Sequence, residues 1–194
     1  MTLNLDPSHQ CVLEHWETIS KMIECRYQVQ RQLTEFVGAA CREVHTGHQG
    51  SFAIVDQINS NESYFQLIPS VLLDWKSSGC ALLALGIEHI SVESLFNIGE
   101  PFSAYVYSAY RADKSVNDNS TDELLLSLAA PSGFTRTGNA NNRGYLFELV
   151  PPIVTPADFC DSEKLRRHLI DPLVTLLNWY EDSKVAEGLR RSGQ

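Results

Sequence analysis

The chain has 194 residues and carries 24 acidic against 15 basic side chains, a net charge of −9, with 43% apolar and 20% charged residues. These values fit one globular domain and exclude wholesale disorder, and no apolar run reaches the ~18 residues that a membrane helix needs. An acidic surface repels nucleic acid and anionic membranes over most of its area, so neither is an expected partner. The opening MTLNLDPSHQ has neither a basic start nor an apolar core, so no signal peptide is expected. The five cysteines, Cys11, Cys25, Cys41, Cys80 and Cys160, form no C-x-x-C pair and are odd in number. A reducing, cytoplasmic setting is therefore expected rather than a disulfide scaffold.

The first segment reads as helix. Asp6 can cap it, and Pro7 suits a first helical position. Val12, Trp16, Ile19, Ile23, Leu33, Val37, Ala40 and Val44 step by three and four along one stripe. Arg26 and Gln30 interrupt it. Either one helix runs from about Pro7 to His45 with a polar contact in its middle, or the helix bends near Arg26. Glycines 47 and 50 stop it.

The middle third changes to strand period. Ser51–Ile58 and Tyr64–Ile68 flank the turn residues Asn59, Ser60 and Asn61 and read as a hairpin. Pro69 limits the second strand or puts its end at a sheet edge. The apolar run Cys80–Ile87 fits a strand buried on both faces better than a short helix, because Gly79 precedes it and Gly86 lies inside it. Phe102–Tyr110 is rich in aromatic and β-branched residues and has the clearest strand signal. A polar loop follows. Ser120–Glu123 is then a capping box before a short helix that Pro131 stops. Phe134–Thr137 and Tyr145–Val150 make a second hairpin around a glycine- and asparagine-rich tip.

Thr155 and Pro156 open the last helical segment, whose apolar stripe is Leu165, Leu169, Leu173, Leu176 and Tyr180. Asp171-Pro172 predicts a kink or break. With no repeat and no long linker, residues 1–194 read as a single α+β domain: an N-terminal helix region (1–47), a sheet region (51–150) and a C-terminal helix region (155–190). Short turns between consecutive strands imply a mostly antiparallel sheet of about four to six strands, packed on one face by the long N- and C-terminal helices.

Several residues carry candidate chemistry. Asp74-Trp75-Lys76, with Asp56 on an upstream strand, has the residue types of a metal-dependent nuclease, in which carboxylates hold Mg²⁺ and a lysine activates water. The triplet sits in a turn-like segment, which is the wrong context. His45 and His48 have loose metal-ligand spacing but no cysteine partners, so no metal site is expected. No cysteine has an evident activating base. Nucleophile-elbow, P-loop and dinucleotide-binding motifs are absent from the sequence. Tyr105 and Tyr107 can offer ring faces on a sheet. Glu93 and Glu100, with the loop from Asp113 to Asp122, can form an acidic patch that steers a basic partner. Arg166 and Arg167 lie in a basic run on the last helix, and Arg26 and Gln30 can set register in a helix–helix seam. The expectation is a protein-binding module without catalytic activity or cofactor, of the adaptor, chaperone or immunity kind, able to form a homodimer. The alternative is a metal-dependent nuclease or phosphodiesterase using Asp56, Asp74 and Lys76.

Overall fold

A computed structural model describes residues 6–48, 50–58, 63–70, 82–109, 127–137, 144–182, 185 and 187. Helix α1 (Pro7–Glu14) is capped by Asp6, whose side chain accepts from the His9 N–H, with Pro7 in the first turn. His15 ends it with a non-helical backbone, and α2 (Trp16–Gly47) follows at once. The His15 N–H still donates to the Cys11 carbonyl, and the Ile19 N–H to the His15 carbonyl. The irregularity therefore falls at His15 and not at Arg26, where α2 runs unbroken. At ~1.5 Å per residue, the 32 residues of α2 extend about 48 Å.

The sheet contains β1 (Phe52–Asp56), β2 (Phe65–Pro69), β3 (Leu82–Glu88), β4 (Ser103–Ala109), β5 (Thr135–Arg136) and β6 (Gly144–Leu149). A short helix, α3 (Val92–Leu95), joins β3 to β4. All five strand pairings are antiparallel, in the order β1-β2-β3-β4-β6-β5. The last hairpin therefore enters with β6 against β4, leaving β5 at the edge.

Alternation sorts the two faces. Phe65, Leu67, Leu83, Leu85, Ile87, Ala104 and Val106 are buried on the face that meets the helices. A bulge between β4 and β6 lets two successive residues, Leu146 and Phe147, both enter the core. Helix α4 (Pro156–Phe159) is capped by the Thr155 hydroxyl. Helix α5 (Ser162–Asp182) starts where the Asp161 carboxylate accepts from the N–H groups of Glu163 and Lys164. The expected break at Asp171-Pro172 is absent, because the chain has already restarted at Asp161. Pro172 sits buried inside the helix, flanked by the core residues Leu169, Ile170 and Leu173. These side chains and the second half of α2 (Leu33, Val37, Ala40, Cys41) cover the same sheet face.

The expected α+β fold, with terminal helices packing an antiparallel sheet, is the observed one. Of the short helix expected over residues 124–130, residues 124–126 lie outside the described residues, Ser127 is helical, and Leu128, Ala129 and Ala130 are not.

Candidate interface on the helical arm and a polar cleft on the open sheet face

The two halves of α2 meet different surroundings. From Leu33 onward the stripe is buried. Before it, Trp16, Met22, Ile23, Tyr27 and Val29 are exposed, as are Val12 and Leu13 of α1, with Trp16 at 61%, Met22 at 66% and Tyr27 at 68%. Seven of the twelve large apolar side chains exposed among the described residues fall between Val12 and Val29. This segment is a helical arm with no buried residue in α1 and none in α2 before Leu33. A shallow hollow of about 510 Å³ lies at its base, lined by Thr18, Lys21, Met22, Cys25, Arg26, Val29 and Val92.

Arg26 and Gln30 mark where the arm leaves the body. Gln30 Nε2 donates to the Ile90 carbonyl at 3.1 Å, and its Oε1 accepts from the Val92 N–H at 2.8 Å. Arg26 Nε donates to Glu93 Oε1 at 2.7 Å, while the Arg26 side chain stays 65% exposed. A backbone hydrogen bond and the Arg26 guanidinium help hold the Glu93 carboxyl below its usual range. Both polar interruptions of the stripe thus fix α3 to α2 within the chain.

The sheet face opposite the helices carries a cleft of about 500 Å³ lined by Tyr64, Gln66, Glu88, His89, Glu100, Tyr105, Tyr107 and Tyr145. Register brings these distant residues together, since Gly86 pairs with Tyr105, and Tyr107 with Tyr145. The Tyr105 ring lies over Gly86, where an added Cβ would come within 2.7 Å of the ring and of the Phe65 carbonyl. Gln66 Nε2 donates to the Tyr105 hydroxyl at 2.7 Å. Glu88 accepts from the Tyr145 hydroxyl at 2.6 Å and the Ser103 hydroxyl at 3.1 Å. His89, with a left-handed φ of 55°, places Nδ1 3.2 Å from Glu100 and Nε2 3.7 Å from Glu88.

Burial raises the pKa of both Tyr105 and Tyr145, and the bond to Glu88 adds to the shift at Tyr145. Both hydroxyls therefore stay protonated, Tyr145 donating to Glu88 and Tyr105 accepting from Gln66. Both oxygens of Glu88 accept from hydroxyls, which makes the carboxylate an anchor in an acidic, ring-lined surface.

The expected acidic patch divides. Glu93 serves Arg26, Glu100 rims the cleft, and the loop from Asp113 to Asp122 lies outside the described residues. Tyr105 and Tyr107 do share the open face, but Tyr105 is only 1% exposed and offers no free ring. Asp56 lies at the end of β1 on the helix-covered face, where it accepts from Arg42 Nη1 at 2.7 Å and from the Ile58 N–H. Asp74 and Lys76 lie outside the described residues. In the basic run, Arg166 pairs with Glu43 at 3.2 Å, and Arg167, on the exposed side, donates to the Glu163 carbonyl. His45 bonds the Phe52 carbonyl and His48 pairs with Glu181. Among the described residues, no group of three His, Cys, Asp or Glu side chains is placed to hold a metal. Burial pushes the Cys41 thiol up to about 12, the opposite of an activated nucleophile.

The open-face cluster escaped sequence reasoning because its members are scattered from residue 64 to residue 145. Tyr105, Tyr107 and Glu100 stand out singly in the sequence, and Glu88 as a charged end to an apolar strand, but no local pattern joins them. Among the described residues, no helix is long and apolar enough to cross a membrane. Comparison with known protein families, with curated proteins and with solved structures finds no match to this chain.

Proposed function

We propose that this chain is a protein-binding module that catalyses no reaction, and that the helical arm is its docking element. The observation that carries the reading is the concentration of exposed apolar side chains between Val12 and Val29. Contiguous apolar surface of this kind marks interaction sites in folded proteins, and Trp, Tyr and Met are enriched where partners meet. An amphipathic helix with apolar anchors at three- and four-residue steps is a recurrent recognition element. Separately from the arm, the net charge of −9, with Glu88 and Glu100 on the open sheet face, favours encounter of that face with a basic partner. Free thiols at Cys11, Cys25, Cys41 and Cys160 support a reducing, cytoplasmic setting. The nuclease reading draws no support from Asp56, whose carboxylate holds Arg42.

Hydroxyl-radical footprinting tests this directly, because Trp, Tyr and Met side chains report their own exposure. Trp16, Met22 and Tyr27 are expected to be oxidised in the dilute purified chain and protected when the chain is returned to lysate of its source. Equal oxidation in both conditions, and in the purified chain at about 100 µM, would overturn the proposal.

A further inference from the structure

We infer that the arm pairs with the arm of a second copy of this chain, antiparallel, with Trp16 of each copy stacked on Arg26 of the other. The inference rests on the reading of the arm as a docking element and names its occupant.

Three observations lead there. First, along α2, Trp16, Ile19, Ile23, Arg26, Gln30, Leu33, Val37, Ala40 and Val44 alternate steps of three and four without a lapse. That is the spacing of a helix–helix seam. The chain's own core covers it from Leu33 onward and leaves Trp16 and Ile23 exposed.

Second, Arg26 is held at its edge by Glu93 while most of its side chain is open, beside the hollow formed with Met22, Cys25, Val29 and Val92. A guanidinium fixed at its edge presents a planar face suited to an indole. Trp16 lies ten residues away on the same rigid helix and cannot reach it. The Trp16 of an antiparallel second arm can. When Ile19 of one copy faces Ile23 of the other, the same register sets Trp16 against Arg26, with Gln30 left to its bonds with α3.

Third, the charge distribution selects this orientation. Residues 6–32 hold four acids (Asp6, Glu14, Glu17, Glu24) and three bases (Lys21, Arg26, Arg31), a net −1, so −8 of the chain's −9 lies on residues 33–194. Parallel arms would stack Arg26 on Arg26 and bring two strongly acidic bodies side by side. Antiparallel arms send the bodies to opposite ends. The ~21 Å along α2 from Trp16 to Gln30 exceeds the ~8 Å screening length at physiological salt. The pairing is two-fold and closed, so it yields a dimer and not a filament.

Sedimentation equilibrium of the purified full chain tests the inference, with circular dichroism confirming that each variant folds. A dimer is expected by about 100 µM. Ile23→Glu should weaken it at least ~100-fold, and Trp16→Ala and Arg26→Ala each roughly tenfold, with the double variant little weaker than either single one. For orientation, Cys11 and Cys25 are replaced by Ser, and Ile19→Cys chains are mixed with Ile23→Cys chains. The mixed disulfide should form preferentially. Dominant Ile23→Cys homodimers would mean parallel arms and overturn the inference. A chain that remains monomeric at about 100 µM would also overturn it. If its Trp16, Met22 and Tyr27 were nonetheless protected in lysate, the docking reading would stand with another protein as occupant. Without that protection, both would fall.

Discussion

Helix α2 contains the same apolar spacing twice, in two environments. Between Leu33 and Cys41 the stripe faces the sheet and α5, and Val37 and Cys41 are fully buried. Between Trp16 and Val29 the large apolar side chains Trp16, Met22, Ile23, Tyr27 and Val29 stay exposed, and Arg26 ties this half to Glu93. Periodicity records which face of a helix is apolar. Whether the chain supplies a surface for that face depends on where the sheet ends, and here it ends at the Gln30 contact with α3. The buried core contribution of α2 and the exposed surface proposed for docking therefore lie in separate halves of one helix.

A charge placed in each half gives the largest contrast. Val37→Asp buries an uncompensated carboxylate, and a loss of about 4 kcal/mol or more of unfolding free energy is expected in chemical denaturation. Ile23→Asp, in the exposed half, should change the stability of the monomer by about 0.5 kcal/mol or less. Comparable losses would mean that the arm is covered within the monomer.

The cysteines sharpen the same contrast without changing the fold. Cys25 is exposed and Cys41 buried. With its thiol near 12, only about one Cys41 in 10⁴ is ionised at pH 8. A thiol reagent followed by peptide mapping should label Cys25 within minutes and Cys41 only after unfolding. Because the folded-state pKa of Cys41 lies above its unfolded value, its contribution to stability is full below about pH 8.5 and fades as pH rises toward 12.

The boundary between the halves gives an effect between those of the two charge substitutions. Gln30→Ala removes two bonds to the α3 corner and leaves the Val92 N–H without its partner, a cost of about 1–3 kcal/mol. Amide hydrogen exchange should speed up around Val92 before it does around Val37.

Much of the architecture was legible because it follows from period. The alternation in Phe102–Tyr110 places Ala104 and Val106 on one face and Tyr105 and Tyr107 on the other, as the strand does. The 3–4 stripes of the two terminal segments name the core residues of α2 and α5. What was not legible depends on tertiary neighbours. Arg26 and Gln30 look like defects in a stripe until α3 is set beside them. Asp171-Pro172 looks like a restart, but the stronger local cap at Asp161 starts the helix earlier, and Pro172 is accommodated inside it. The position of β6 between β4 and β5 has no local signal. The contact of Glu88 with Tyr145 needs both that insertion and the bulge beside Tyr107.

The order of the strands has a further consequence for how this protein avoids its own copies. An open sheet ends in unpaired backbone donors and acceptors that invite another sheet to continue it. Here one margin is β5, two residues long and carrying Arg136, whose guanidinium lies 4.7 Å from the centre of the Phe147 ring. The other is β1, five residues ending in the charged Asp56. Short, charged margins discourage ribbon-like growth through the described sheet.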